Sequence, residues 1–348
     1  MIGHQHLRIF ILKPSSLGDV IQALPVLRLL KLHLPESEVY WWIDTSLAPL
    51  LEGDSDLAGL IHFDRAGWSS PRRWGDAWRS VRRARTLAFD WVIDLQSLLR
   101  SGAMAWLANG ARTIGLDDPR EGACGFYDVA VPRPSYHTHA VDWYLNVLPP
   151  LGVPVHQKFA WLPPQPRAAE EVQTRWAPGA ARWIALHPGA RWETKRWPAE
   201  SFAKTVSHLA ALSLDLRFVV LGAGADQALG RMVAAAAPDR CLNLTGCTTL
   251  PQMVEWIRLC ELIVTNDTGP MHVAAALGKP VVAMFGPTEP RRTGPYGQLE
   301  GVLQHQLPCV PCLKDTCRWA QPFECLRAIT PERVSSQVER LILAGRGL

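Results

Sequence analysis

Short apolar segments recur along the chain, and most of them are followed by a polar turn and a helical pattern. Arg8–Leu12 reads as a buried strand, and Val20, Leu24, Leu27 and Leu30 then repeat at helical spacing. Strands that alternate with helices form parallel sheets covered on both faces, so the pattern predicts an α/β fold. Further strands are predicted at residues 39–43, 91–95, 183–187, 216–221, 262–264 and 281–285.

The alternation runs through both halves of the chain and is interrupted by proline clusters. The first cluster is at residues 149–150 and the second, P-P-Q-P, is at residues 163–166. We interpret the second as an interdomain linker and expect a domain over residues 1–165 and another over residues 166–330. A final helix within residues 331–348 is expected to pack back across the first domain. Two such domains facing each other would form a central cleft that takes ligands at the carboxyl ends of the strands.

Composition supports two folded cores and narrows the class of protein. The 348 residues are 48% apolar and 20% charged, which is typical of globular domains and argues against disorder. The net charge of +4 does not by itself indicate a nucleic-acid partner. The apolar run Ile9–Leu12 is too short for a secretory signal, and no stretch is long enough to span a membrane. We therefore expect a cytoplasmic protein.

Positive charge is concentrated in one segment of the first half. Residues 65–100 contain eight arginines against three aspartates, a local charge of +5. The arginines are Arg65, Arg72, Arg73, Arg79, Arg82, Arg83, Arg85 and Arg100. Arginine forks suit phosphate or carboxylate groups on a partner, although a solvated helix face would have the same composition.

A turn of small and polar residues, T-N-D-T-G-P-M-H, follows the apolar run 262–264 and leads into an alanine-rich helix. A helix N-terminus has unpaired N–H donors and about half a positive charge, which suits a phosphate group. We therefore expect a site for the phosphates of a nucleotide or sugar nucleotide at the turn of Asp267, Thr268 and Gly269, with His272 one helical turn further on.

A second turn, which is basic, follows the strand predicted at residues 183–187. His187, Gly189 and Arg191 come first, and Lys195 follows with its neighbour Arg196. Cations at the end of a strand indicate anion binding, and a plain basic loop is the alternative.

Two carboxylates lie at other strand-to-helix turns. Asp226 follows Gly222 in a glycine turn that lets a ligand approach the backbone, where the carboxylate would accept from ribose hydroxyls or cap a helix. Asp19 follows K-P-S-S-L-G at residues 13–18. It is well placed to take a proton from a hydroxyl nucleophile, and a helix N-cap is the alternative role.

Four of the eight cysteines cluster late in the chain as C-x2-C-x4-C-x7-C. In a cytosolic protein a CxxC pair suggests metal more than a disulfide, although these later spacings are irregular for a zinc ribbon. A structural zinc or iron ion at Cys309, Cys312, Cys317 and Cys325 is one interpretation, and free thiols are the other.

Three motifs in this order resemble the ADP-heptose:lipopolysaccharide heptosyltransferases of glycosyltransferase family 9. They are K-P-S-S-L-G-D-V at residues 13–20, G-A-R-W-x-T-K-R-W-P at residues 189–198, and N-D-T-G-P-M-H at residues 266–272. The resemblance extends from residue 8 to about residue 335. It implies a GT-B fold, two Rossmann-like domains, and metal-independent, inverting transfer of heptose from ADP-L-glycero-D-manno-heptose to the inner core of lipopolysaccharide.

The resemblance also implies roles for single residues. Asp19 falls where the family has its proposed base, and Lys195 falls where it has a diphosphate-binding lysine. The residues expected to contact the ADP-sugar are His187, Gly189, Arg191, Gly222, Asp226, Asp267, Thr268, Gly269 and His272. The residues expected to contact the acceptor are Ser15, Ser16, Gly18, Arg65, Gln96 and Arg100. The acceptor would be a lipid-linked oligosaccharide, which places the enzyme at the inner face of the cytoplasmic membrane, without a nucleic-acid partner and without a required cofactor.

Other functions remain open at this point. A sugar-nucleotide 2-epimerase shares the GT-B plan but needs further acid and base carboxylates around the sugar, and the turns of the second half offer few. A related family 9 transferase with another donor or acceptor, or a binding protein with a degenerate site, are further alternatives. The presence of Asp19, Lys195 and Asp267 argues against a degenerate site.

Overall fold

The computed structural model describes residues 7–64 and 74–344. The chain divides into two compact units, Met1–Pro163 and Pro164–Leu348, so the boundary falls inside the second proline cluster. Among the described residues no helix combines the length and the apolarity needed to cross a bilayer.

The first unit is built on a parallel six-stranded sheet with the strand order β3-β2-β1-β4-β5-β6. Its strands are β1 (Arg8–Leu12), β2 (Glu38–Asp44), β3 (Gly59–Phe63), β4 (Trp91–Asp94), β5 (Arg112–Leu116) and β6 (Val129–Val131). Its helices are α1 (Leu17–His33), α2 (Trp74–Leu87), α3 (Leu99–Ala108) and α4 (Ala140–Leu145). Strands β1 and β4 are neighbours in which Leu12 pairs with Asp94, so the loops that follow them start side by side.

Helices α2 and α3 lie together on one face of this sheet. Val81 of α2 and Met104 of α3 share one buried cluster with Phe10 of β1 and Trp42 of β2. Helix α1 packs against α4 instead, and it is buried almost all round from Gly18 to Leu30. A helix buried on all sides has to be apolar on all sides, which explains why its sequence lacks a polar face.

The second unit repeats the plan with the strand order β12-β11-β10-β7-β8-β9. Its strands are β7 (Arg182–His187), β8 (Leu216–Val220), β9 (Cys241–Asn243), β10 (Leu262–Asn266), β11 (Val281–Phe285) and β12 (Val302–Gln304). Its helices are α5 (Pro166–Trp176), α6 (Ala199–Leu212), α7 (Gln227–Ala234), α8 (Leu250–Leu259), α9 (Gly269–Ala276), α10 (Pro290–Thr293), α11 (Glu324–Arg327) and α12 (Pro331–Ala344). The two parallel sheets covered by helices confirm the predicted α/β class.

The last helix belongs to the core of the second unit. Val334 and Val338 are fully buried in the same cluster as Phe202 of α6 and Met284 of β11. Helix α12 also contacts α6 directly. The apolar face of this helix is therefore used within the second unit, and packing of the helix across the first domain stays a prediction.

Candidate active site

The candidate nucleotide site of the second unit lies where its strand order reverses. Strands β8 and β9 lie on one side of β7, and strands β10, β11 and β12 lie on the other. Thr265 pairs with His187, so β7 and β10 end next to each other. In parallel α/β sheets, ligands bind at the carboxyl ends of the strands at such a switch point.

Lys195, Asp267 and Thr288 form the polar centre of this site. Lys195 Nζ lies 2.7 Å from Asp267 Oδ2, and Thr288 Oγ1 donates to the same oxygen over 2.6 Å. The Asp267 side chain is 5% exposed and that of Lys195 is 21% exposed, so the pair is protected from water on most sides. Lys195 also lies over the Trp192 ring, 5.1 Å from its centroid. The structure thus brings together Lys195 and Asp267, which were predicted separately, and adds Thr288.

The Asn266 amide holds the basic turn against the end of β10. Its Nδ2 donates to Pro188 O over 2.8 Å, and its Oδ1 accepts from Trp197 N over 3.0 Å. The side chain is fully buried, so both bonds are shielded from water. Since these contacts flank Lys195 on both sides in the sequence, Asn266 fixes the loop that carries the lysine. It stood in the quoted motif without an assigned role.

Helix α9 begins at the same edge of the sheet. Thr268 is its N-cap residue, Gly269 is its first residue, and His272 is 8% exposed in the first turn. Thr268 Oγ1 lies 3.4 Å from His187 Nδ1, which joins the two predicted turns. Burial lowers the pKa of the His187 imidazole below its ordinary value although the nearby Asp226 carboxylate opposes the shift. The ring is therefore neutral at neutral pH.

Two glycines make room for the Asp226 carboxylate. A Cβ at Gly189 would lie 2.6 Å from the carboxylate carbon and from both oxygens, and one at Gly222 would lie 3.1 Å from Asp226 Oδ2. Asp226 Oδ2 accepts from Ala223 N over 2.9 Å, so the carboxylate closes its own turn, as in the capping alternative. Arg191 is exposed on the neighbouring loop and is not among the groups that meet at Asp267.

Asp19 lies in the first turn of α1 and is bound to the turn before it. Asp19 Oδ2 accepts from Ser16 N over 2.9 Å and from Ser16 Oγ over 2.6 Å. Gly18 is buried beside it, and Ser15 and Asp19 are partly buried. Helix α1 begins at Leu17, so Asp19 is its third residue and not the residue that opens it. The N-cap residue is Ser16, so Asp19 is not the N-cap itself but bonds back to it from the third helical position. The role of Asp19 as a base stays a prediction.

A buried cation lies behind this turn. Lys13 is 3% exposed, and its Nζ donates to Leu95 O over 2.8 Å, which links the loops after β1 and β4. Burial lowers the pKa of Lys13, but Tyr144, Asp19 and Asp94 together raise it by more than burial lowers it. The pKa therefore lies above its ordinary value. The ammonium stays charged at neutral pH. Lys13 was part of the quoted motif, but sequence reasoning gave it no role.

Asp94 anchors the loop that carries Gln96. It is fully buried and accepts from Gln96 N over 2.8 Å, Ser97 N over 3.1 Å and Tyr127 Oη over 2.7 Å. Burial raises the pKa of Asp94, and these hydrogen bonds offset only part of the shift. Among the described residues, Gln96 Oε1 is buried and has no hydrogen-bond partner. A buried acceptor without a donor costs free energy, and a ligand hydroxyl would supply the donor.

The remaining acceptor candidates are arginines. Arg100 is exposed at the start of α3, and its guanidinium carbon lies 5.5 Å from the Phe63 ring centroid. Arg65 lies outside the described residues.

The four late cysteines lie around one cavity that is also lined by Thr194, Pro287 and Trp319. All four are free thiols. Burial and the neighbouring thiols, Cys317 first among them, raise the pKa of Cys325 to about 11. In residues 7–64 and 74–344 no group of three or more histidine, cysteine or acidic side chains is placed to hold a metal ion. The prediction of a structural zinc or iron ion at these cysteines is therefore not confirmed.

The segment of residues 309–325, which carries the four late cysteines, is hydrogen-bonded to the loops that carry Lys195 and Thr288. Thr194 Oγ1 donates to Lys314 O over 2.9 Å, and Leu313 N donates to Pro287 O over 2.8 Å. Thr194 precedes Lys195 in the chain, and Pro287 precedes Thr288. The segment therefore supports the backbone on which the polar centre is mounted.

Two Rossmann-like units, each with polar loops at a switch point, define a protein of the GT-B fold class. The fold matches the E. coli ADP-heptose lipopolysaccharide heptosyltransferase II with a TM-score of 0.78 at 23% identity, over 98% of this chain and 100% of that one. It matches E. coli heptosyltransferase WaaC with ADP with a TM-score of 0.76 at 22% identity, over 96% and 100% of the two chains.

The chain belongs to glycosyltransferase family 9 (heptosyltransferase), whose model matches residues 77–321. It is 29% identical to lipopolysaccharide heptosyltransferase 1 of Pseudomonas aeruginosa, over 97% of this chain and 99% of that protein. It is 28% identical to lipopolysaccharide heptosyltransferase 2 of Salmonella typhimurium, over the same shares of the two chains. These findings confirm the family resemblance drawn from the three motifs.

Proposed function

We propose that this protein transfers heptose from ADP-L-glycero-D-manno-heptose to the inner core of lipopolysaccharide, with inversion at the anomeric carbon. The observation that carries the proposal is the cluster of Lys195, Asp267 and Thr288 at the switch point of the second sheet, next to the N-terminus of α9. Family membership and the relatives named for lipopolysaccharide heptosyl transfer support the choice of donor and acceptor.

The second unit would hold the leaving group. As the bond between the anomeric carbon and the diphosphate oxygen breaks, the electron pair and the negative charge pass to ADP. Lys195 and the N–H groups around Thr268 and Gly269 would stabilise that charge without rearrangement of solvent. Lys195 thus supplies a fixed positive charge of the kind that phosphate-transfer sites otherwise draw from a metal ion.

The first unit would supply the base. Asp19 takes the proton of the acceptor hydroxyl while the hydroxyl oxygen forms the new bond to the anomeric carbon. The two hydrogen bonds from Ser16 orient the carboxylate, and Lys13 holds positive charge behind the same turn. We place the acceptor next to Gln96, whose buried oxygen would accept from an acceptor hydroxyl, and Arg100 near its anionic groups.

The test is a transfer assay read by product mass, with ADP-heptose as donor and with either Kdo₂-lipid A or its mono-heptosylated form as acceptor. A gain of one heptose on either acceptor is expected and would assign the step.

Asp19→Ala should lower kcat by about 10²-fold or more with unchanged ADP binding, because general-base catalysis contributes about 10²–10⁴-fold.

Lys195→Met should weaken both ADP binding and transfer, whereas Lys204→Met, at an exposed lysine of α6, should change neither. Normal transfer by Asp19→Ala would rule out this base. ADP binding without heptose transfer to either acceptor would leave the nucleotide site in place and refute the proposed donor or acceptor.

A further inference from the structure

Helices α2 and α3 carry large apolar side chains that are exposed. Among the tryptophans whose side chains are described, two are exposed: Trp78 of α2, at 62%, and Trp106 of α3, at 64%. Leu99, one end of α3, is 54% exposed. Large apolar side chains concentrated on one face mark an interaction surface more often than single exposed ones do.

In the sequence, exposed arginines lie between these apolar side chains. Arg82 follows Trp78 by one helical turn, so the two share a side of α2, and Arg83 is exposed next to it. Between Trp78 and Leu87 the sequence contains four arginines and no acidic residue. We call Trp78, Arg82, Arg83, Leu99, Arg100 and Trp106 the basic–aromatic face.

The inner sides of both helices fix this face in place. Val81 and Ala84 of α2 and Met104 and Ala105 of α3 are buried in the core of the first unit. The two helices also contact each other. Other side chains already occupy the core positions of both helices, so the exposed tryptophans are not needed to complete the core.

We infer that the basic–aromatic face docks the protein on an anionic lipid surface. Tryptophan prefers the boundary between water and hydrocarbon, where the ring is buried and its N–H stays hydrated. Arginines near a bilayer that contains anionic lipid are attracted by its negative surface potential. A second copy of this chain fits less well, because a symmetric contact would set arginines against arginines.

The inference shares with the proposed function a lipid-linked acceptor, but it is tested without donor or acceptor. The full chain is sedimented with phosphatidylcholine vesicles that contain phosphatidylglycerol, and with vesicles of phosphatidylcholine alone. We expect binding to the anionic vesicles and its release at high salt, since surface attraction is screened within a Debye length.

Two pairs of substitutions test the face. Trp78→Ser with Trp106→Ser, and Arg82→Gln with Arg83→Gln, alter exposed positions, so folding should be retained. Each pair should weaken partitioning roughly tenfold or more. The matched controls are Leu214→Ser, at a leucine that is 80% exposed, and Arg167→Gln, at a side chain that is 94% exposed, both in the second unit. The controls should partition like the wild type.

The outcomes separate this inference from the proposed function. Loss of vesicle binding with unchanged transfer to a deacylated, water-soluble acceptor supports the face as a docking surface. Absence of vesicle binding by the wild type, or equal binding by face and control variants, overturns it, even if heptosyl transfer is observed. A dimer in solution that is lost in the tryptophan variant, without vesicle binding, would assign the face to a second copy and also overturn it.

Discussion

A methyl group at residue 189 would collide with a carboxylate. Every carboxyl atom of Asp226 lies 2.6 Å from the Cβ position of Gly189, and the carboxylate is held by Ala223 N. Gly189→Ala should therefore displace Asp226 and lose that bond, at a cost of about 1 kcal/mol in the free energy of unfolding. It should also weaken ADP binding, because the loop before Lys195 shifts. Urea unfolding and an ADP titration measure the two effects.

Gly224→Ala is the matched control for this prediction. No atom lies within 4 Å of its Cβ position, and it belongs to the same turn as Asp226. Equal unfolding midpoints and ADP affinities for the two variants would contradict the steric argument.

The sequence marked single candidate residues but not the contacts between them. The motifs gave Lys195, Asp267 and Asp19, since each lies in a turn next to a predicted strand. The ion pair of Lys195 with Asp267 joins two loops that are far apart in the chain, so no local pattern contains it. Thr288 lies beyond the end of β11, and only the neighbouring ends of β10 and β11 bring its hydroxyl to Asp267.

At the scale of elements, helix α1 contributes a buried arginine to an ion pair, and we expect this pair to stabilise the fold. Arg28 lies on this helix and is 8% exposed, and its guanidinium binds Asp54 and Asp56. Arg28→Met keeps the apolar stem but leaves the Asp54 carboxylate, 5% exposed, without its cation. Breaking a buried pair from one side costs about 3–5 kcal/mol, so chemical denaturation should show a large loss of stability.

An exposed pair provides the comparison. Arg167 bonds to Glu171 with side chains 94% and 43% exposed, so Arg167→Met should change the free energy of unfolding by about 0.5 kcal/mol or less. Similar losses for both variants would show that burial does not determine the value of the Arg28 pair.

Long apolar strands could be predicted, and short or interrupted ones could not. β1 and β11 were predicted with the bounds that the structure has, because the apolar run of β1 ends at Lys13 and that of β11 lies between Pro280 and Gly286. β9 and β12 have three residues each, too few for a pattern to develop. Helix α12 was predicted from its periodicity, but an amphipathic stripe does not specify which apolar surface will cover it.

At the scale of the whole molecule, the second unit has its own sheet, its own core and all the residues predicted for ADP. Residues 164–348, expressed alone, should therefore fold and bind ADP with an affinity within about tenfold of the full chain, as expected for a domain with a core of its own. Circular dichroism and calorimetric titration check this.

A shorter chain of residues 164–330 serves as the comparison for the chain of residues 164–348. It lacks Val334 and Val338, both fully buried, so it should not fold stably. Normal folding of the shorter chain, or loss of ADP binding by the longer one, would contradict the assignment of α12 and the site to one unit.

The pairing of Lys195 with Asp267 also bears on selectivity. The two side chains form an ion pair without net charge, so together they attract anions only weakly. A small anion would have to separate that pair and would gain one contact in return. A diphosphate can replace the lost contact and add bonds along a helix terminus, while the Thr288 hydroxyl still holds Asp267. Under the proposed function, a ligand with few contacts, such as free phosphate, would therefore gain too little to compensate for separating Lys195 from Asp267.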